Sequence, residues 1–211
     1  MLTRPQISAF LALSLALWIG FLVISGEPLS WSMLAPFGTV VGGVSFILLM
    51  FDIWAWKWPI FQGWLIKRPM LHGKWRTELQ SDWIDPKTGE TVPLINCFVV
   101  IRQTASNISL RMVTPESRSE TVSAGIEAHS DGTFEVSCAY RNKPKAKFRD
   151  RSEVHYGAML LGVENAKPLR VEGEYWTDRK TTGSLVLFER KDKTPITYDE
   201  ALALYDESSG V

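Results

Sequence analysis

Two transmembrane α-helices leading into an all-β domain, an antiparallel up-and-down barrel of about eight strands, are what this 211-residue sequence predicts. Charge is segregated along it. Residues 5–53 hold only Glu27 and Asp52, although the whole chain balances 23 basic against 23 acidic side chains. The uncharged part contains two apolar runs of membrane-helix length. From Gly73 onward no helical period persists, and turn signals recur every 8–15 residues.

The first apolar run, Ile7 to Ile24, is 18 residues without a charge. At about 1.5 Å per residue it just spans a hydrocarbon core of roughly 30 Å. A connector with Glu27 and Pro28 follows, then a second uncharged run from Leu34 to Phe51. Trp54, Trp56, Trp58 and Trp64 come next, interleaved with Lys57, Lys67 and Arg68, as at a bilayer boundary. Basic residues flank the pair (Arg4 before, Lys57 to Arg76 after) and the connector has none, so both termini are expected in the cytoplasm. A cleaved signal peptide ending near Ser25 is the alternative; the run exceeds the usual apolar core of about 7–15 residues. Gly38 and Gly42 form a small-residue face suited to close helix packing, within the hairpin or between chains. The expected organisation is a hairpin at 1–56, an interfacial linker at 57–72, a ligand-binding barrel at 73–193 and an acidic tail with a short helix at 194–211.

Strands are expected at 73–83, 92–103, 107–114, 118–129, 132–141, 153–162, 169–178 and 183–191. Asp131-Gly132 is the clearest hairpin signal, read as a type I′ turn. Alternation puts Phe134, Val136, Cys138 and Tyr140 on one inner face, Val122, Ala124, Ile126 and Ala128 on another, and Leu169, Val171, Gly173, Tyr175 and Thr177 on a third. Closure into a barrel removes exposed edges, and about eight strands leave room for one small ligand or a plug of side chains. Cys97 and Cys138 read as reduced core thiols, and the scattered His72, His129 and His155 suggest no metal site.

Three stretches are candidates for function. Gly73-Lys74-Trp75 opens the first strand as a G-x-W, similar to lipocalins, where such a Trp seals one barrel end beneath a late Arg (Arg179 or Arg190 here). Gly173-Glu174-Tyr175-Trp176-Thr177-Asp178-Arg179 puts two aromatics, a hydroxyl and a guanidinium near a strand end, a set able to stack a base and hold a phosphate. The 141–151 loop holds six basic residues and one acidic, suited to anionic lipid, to the rim of an anion pocket or simply to solvent. Tyr140, Tyr156 and Tyr175 inside the barrel, with Trp75, Trp176, Thr177, Arg102, Gln103, Arg141, Asn142 and Arg179 near strand ends, make up the expected ligand-binding set. No nucleophile elbow, phosphate loop or paired-carboxylate spacing sits in a suitable context, so catalysis is not expected and no catalytic residue is assigned.

Two short helices before an eight-strand domain that opens GKWRTELQSDW, contains HYG at 155–157 and closes GEYWTDRKTTG resemble one family over nearly the whole chain. It is the two-transmembrane β-barrel effectors of bacterial CBASS anti-phage systems, which accompany cyclic-oligonucleotide synthases (CD-NTases). The resemblance implies a multi-pass inner-membrane receptor with a cytoplasmic barrel and no cofactor. It also implies a cyclic dinucleotide as activating ligand, and the lipid bilayer and further copies of the chain as partners. Ligand binding would then drive self-association, membrane disruption and death of the infected cell. A membrane-tethered carrier of an apolar molecule and a protein-binding scaffold are the competing readings.

Overall fold

The computed structural model describes residues 12, 14–16, 18–20, 22–24, 26, 31–63, 65–84, 89–150 and 152–206, with backbone alone for 31–40 and 205–206. The connector residues Glu27 and Pro28, Trp64, the turn at 85–88 and Arg151 lie outside the described residues. The chain forms two compact units, residues 1–61 with 104–106, and residues 62–103 with 107–211.

In the first unit, α1 (Trp31–Ile53) runs 23 residues, longer than the expected 34–51, with Pro36 near its N-terminal end. Two 3-10 turns follow, Ala55–Lys57 and Pro59–Phe61. Trp56 is buried while Trp54 and Trp58 are exposed, and Phe51 meets Phe61 edge-on at 5.1 Å. Among the described residues no helix is long and apolar enough to cross a membrane. Ten of the 18 residues of the first apolar run are described, Gly38 has backbone alone, and a Cβ at Gly42 would meet nothing within 4 Å.

The second unit is a closed antiparallel barrel of eight strands in sequential order. They are β1 (Gly73–Ser81), β2 (Ile95–Gln103), β3 (Ile108–Val113), β4 (Ser117–Ala128), β5 (Phe134–Pro144), β6 (His155–Val163), β7 (Val171–Thr177) and β8 (Thr182–Lys191). The expected strands match these in number, order and position within a few residues, because each is bounded by turn chemistry. One contiguous apolar core runs inside, from Trp75 and Leu71 through Val99, Val136 and Leu161 to Tyr140 and Tyr175.

Three local expectations are corrected. Val122 is 63 % exposed, because the β4–β5 register shifts between Thr121 and Ser123. An extra residue in one strand reverses the side-chain alternation beyond it. Thus Ser119 and Thr121 point inward before the shift and Ala124 and Ile126 after it, whereas Ala128, in the same phase, is exposed as the last residue of the strand. Leu169 is exposed and precedes β7. At residues 129–133 only Gly132 has positive φ (+88°), so the turn is not type I′, which needs positive φ at two residues. The Asp131 carboxylate instead accepts from Thr133 N at 3.0 Å and Thr133 Oγ1 at 2.7 Å.

The β3–β4 seam is closed largely by side chains. Its register pairs only Val113 with Arg118. Beyond that pair, Ser119 Oγ accepts from Met112 N at 2.9 Å. Thr121 Oγ1 accepts from Leu110 N at 2.8 Å and donates to Leu110 O at 2.6 Å. A short helix, α2 (Tyr198–Asp206), covers the outer side of β2, where Phe98 and Val113 pack on Ala201 and Tyr198. Lys74 Nζ donates to Ala201 O and Lys191 Nζ to Leu204 O, each at 2.6 Å, the second placing a cation on a carbonyl of the last turn. Burial, then the neighbouring Lys191 and Lys193, lowers the fully buried Lys74 to about 8.

Candidate functional site

Antiparallel order gives the barrel two ends with different chemistry. At the base, Trp75 is fully buried and its Nε1 donates to Leu71 O at 2.9 Å. Arg190 lies 5.9 Å from the Trp75 ring and donates to Met70 O. Gln103 accepts from Leu71 N at 2.9 Å and donates to Pro69 O at 2.8 Å. Trp75, Arg190 and Gln103 each donate to a backbone carbonyl of residues 69–71, which ties this segment across the base as a seal. The Trp–Arg closure read from G-x-W is present with Arg190, not Arg179. Trp75 and Gln103 of the expected ligand-binding set thus stand at this closed base, away from the other end of the barrel, and Arg102 is exposed on the outer side of β2.

The opposite end, the rim, is built where β1, β5, β6, β7 and β8 meet the connections 82–94, 145–154 and 178–181. Two tyrosines dominate it, each laid across a glycine on the neighbouring strand. Tyr140 pairs in register with Gly157, and Tyr175 with Gly183. A Cβ at Gly157 would stand 2.5 Å from Tyr140 Cζ and Oη; one at Gly183 would stand 2.6 Å from Tyr175 Cε1. HYG and TTG therefore contain glycine because a tyrosine ring and a neighbouring backbone carbonyl (Trp176 O at Gly157, Gln80 O at Gly183) occupy the space a side chain would need. Both rings are more than nine-tenths buried. Burial pushes both phenols above their usual range; Ser81's hydrogen bond and Arg179 pull Tyr175 partly back. They remain neutral O–H groups at neutral pH, which donate to an acceptor and carry no charge.

Arg179 lies exposed in the β7–β8 turn, and its Nη1 donates to Ser152 Oγ at 3.2 Å. Among the described residues that is its one bond, to a neutral hydroxyl, which leaves most of the guanidinium's donor fork for an anion. The turn beneath it is rigid. Thr177 Oγ1 and Thr181 Oγ1 lie 2.6 Å apart. Asp178 N donates to Tyr156 O at 2.9 Å, and Tyr156 N donates to Asp178 Oδ2 at 3.0 Å. Thr182 hydrogen-bonds Asp82 across the same edge. His155 is buried, its Nδ1 2.9 Å from Glu153 O, and burial lowers its pKa.

The structure thus gathers Tyr140, Asn142, Tyr175, Thr177 and Arg179 at one end. Tyr156 and Trp176 share that end but lie on its outer surface, 53 % and 45 % exposed, so the expectation of Tyr156 in the interior is corrected. Odd and even positions of a strand face opposite ways, and His155 and Tyr175 hold the inward phase. Arg141 also faces out, sharing Glu120 with Lys143 and Arg118. Sequence reading missed His155, Ser81 and Asp82 at the rim. Their signal was position alone, at strand ends opposite the GEYWTDR segment. Cys97 and Cys138 are free, buried thiols, Cys97 pushed up to about 12 by burial. Among the described residues no cluster suited to a metal ion occurs.

A family model described as "Cap15, cyclic dinucleotide receptor domain" matches residues 66–189, which span all eight strands nearly to the end of β8. The chain is also similar to "CD-NTase-associated protein 15" of Staphylococcus schleiferi. The two are 28 % identical over 149 residues, 70 % of this chain and 75 % of that protein.

Proposed function

The chain belongs to the Cap15 cyclic dinucleotide receptor family of CBASS effectors, receptors rather than enzymes, and from that premise we propose that its barrel rim binds a cyclic dinucleotide. The observation that carries this placement is Arg179: an exposed guanidinium, held on a rigid turn beside two neutral tyrosine hydroxyls and spending one donor on Ser152. A phosphodiester accepts from that fork more strongly than the Ser152 hydroxyl does, since charge-assisted bonds are roughly twice as strong as neutral ones. The buried rings of Tyr140 and Tyr175 offer hydroxyls; the exposed faces of Tyr156 and Trp176 are the ones open to stacking.

In this reading residues 7–24 and 34–51 anchor the chain in the bacterial inner membrane, with the barrel on the cytoplasmic side. Ligand favours self-association by binding the assembled state more tightly. Gathering the helix pairs, in part through the Gly38–Gly42 face, then breaches the membrane and kills the infected cell. Calorimetry of the full chain in detergent, with cyclic di-AMP, cyclic di-GMP and cyclic GMP–AMP, tests the receptor step. Tight binding of one member, weakened at least about tenfold by Arg179→Ala, is expected for a lost charge-assisted contact. Absence of binding by the whole panel would refute it and move the scaffold reading ahead, which the packed interior also suits. An unchanged particle size at saturating ligand would refute the assembly step alone.

A further inference from the structure

Two turns of the barrel share one hydrogen-bond frame. In residues 129–133, His129 N donates to Thr133 O at 2.9 Å and Gly132 N to His129 O at 3.2 Å. In residues 177–181, Thr177 N donates to Thr181 O at 3.0 Å and Lys180 N to Thr177 O at 3.1 Å. The fourth residue of each has positive φ, +88° for Gly132 and +59° for Lys180. Glycine adopts that backbone freely, whereas a Cβ there crowds the following carbonyl. Asn and Asp offset the cost with short side chains that bond locally; lysine has no such means.

The first turn shows that glycine satisfies this frame, yet the second keeps a lysine. Lys180 is exposed, and among the described residues its ammonium makes no hydrogen bond or ion pair. Of the two non-glycine residues with positive φ among those described, Glu189 meets Arg76, whereas Lys180 holds its strain without such a return, which points to a use for its side chain. Its location is specific: it follows Arg179 on the turn pinned by Thr177, Thr181 and Asp178. Two cations therefore stand side by side on a rigid support at the rim. A cyclic dinucleotide carries two phosphodiester anions, and one arginine fork meets only one of them.

We propose that Lys180 is the second phosphate-binding cation of the rim, taking one phosphodiester of a cyclic dinucleotide while Arg179 takes the other. This rests on the receptor reading above and adds a residue to it. A flexible ammonium suits the second phosphate, because it follows a point charge without demanding a fixed approach.

The test is Lys180→Gly in the full chain in detergent, read by thermal unfolding and by calorimetry with the same three cyclic dinucleotides. Relief of the strained backbone raises Tm by about 2 °C, while loss of one charge contact weakens binding about tenfold. A merely structural lysine moves the first reading and not the second. Lys180→Arg should bind within about threefold of wild type without the gain in Tm, since it restores the charge and the strain together. Should the glycine variant fold poorly, Lys180→Met decides, because it keeps a Cβ and loses the charge; unaltered affinity there overturns the proposal. Wild-type affinity in Lys180→Gly would overturn it while leaving the receptor reading intact, whereas a wild-type chain that binds none of the three overturns both.

Discussion

Thr121→Val exchanges one hydroxyl for a methyl and leaves the branched shape and strand preference of the residue unchanged. What it removes is the joint between β3 and β4. Leu110 is 1 % exposed, and both its backbone N–H and its C=O are paired with Thr121 Oγ1, at 2.8 and 2.6 Å. No water reaches Leu110 to replace them, so both groups stay buried without partners. At about 1–3 kcal/mol for each such group the cost is roughly 2–5 kcal/mol, and for a chain of this size Tm should fall by about 5–15 °C. Tryptophan fluorescence during heating of the detergent-solubilised chain reads the fall. Hydrogen exchange reads its origin, since the Leu110 amide should lose protection before those of β1 and β8. Ser123→Ala, an exposed neighbour on the same strand, should stay within about 0.5 kcal/mol of wild type. A Thr121→Val chain that melts within about 1 °C of wild type would show that the seam is held by something other than this hydroxyl.

Gly157→Ala places a methyl 2.5 Å from the Tyr140 ring and 2.7 Å from Trp176 O, a backbone atom that cannot step aside. It should cost about 1–3 kcal/mol and weaken cyclic-dinucleotide binding, checked by thermal unfolding and calorimetry on one preparation. Trp75→Phe removes the donor to Leu71 O at the base and should lower Tm with ligand affinity unchanged; altered affinity would return Trp75 to the ligand site. Lys74 supplies a pH signature. Its folded pKa of about 8 lies below the ordinary 10.5, so between those values the unfolded chain holds a proton that the folded chain has released. Stability attributable to this group therefore rises with pH across that window, by about 3 kcal/mol at most. The difference in Tm between wild type and Lys74→Met, followed from pH 7.5 to 10.5, should show the rise in wild type alone.

Local sequence carried most of the barrel. Alternation in 134–140 and 171–177 placed Phe134, Val136, Cys138, Tyr140, Val171 and Tyr175 inward, because a strand with one wet face must repeat every two residues. The G-x-W opening offered a seal as one reading of Trp75 beside a place in the ligand-binding set, and the family resemblance resting on HYG and GEYWTDR stands with the matched receptor model. The misplacement of Val122 has a clear cause: it depends on how one strand meets another, and nothing in the run SETVSAGIEA marks where the β4–β5 register shifts. Ala128 and Leu169 lie at or beyond strand ends, where the two-residue period no longer holds.

The sequence by itself determined the number and order of the strands, the side on which most residues lie and the family. Those properties follow from turn chemistry and a two-residue period, which act over short stretches of chain. Only the tertiary structure decided which candidate residues share an end. Trp75 and Gln103 went to the sealed base and Tyr140, Tyr175 and Arg179 to the rim. It also gave Gly157 and Gly183 their reason, as the floors under two tyrosines. Such pairings join residues far apart along the chain, and strand register and barrel closure set them, which no local pattern encodes.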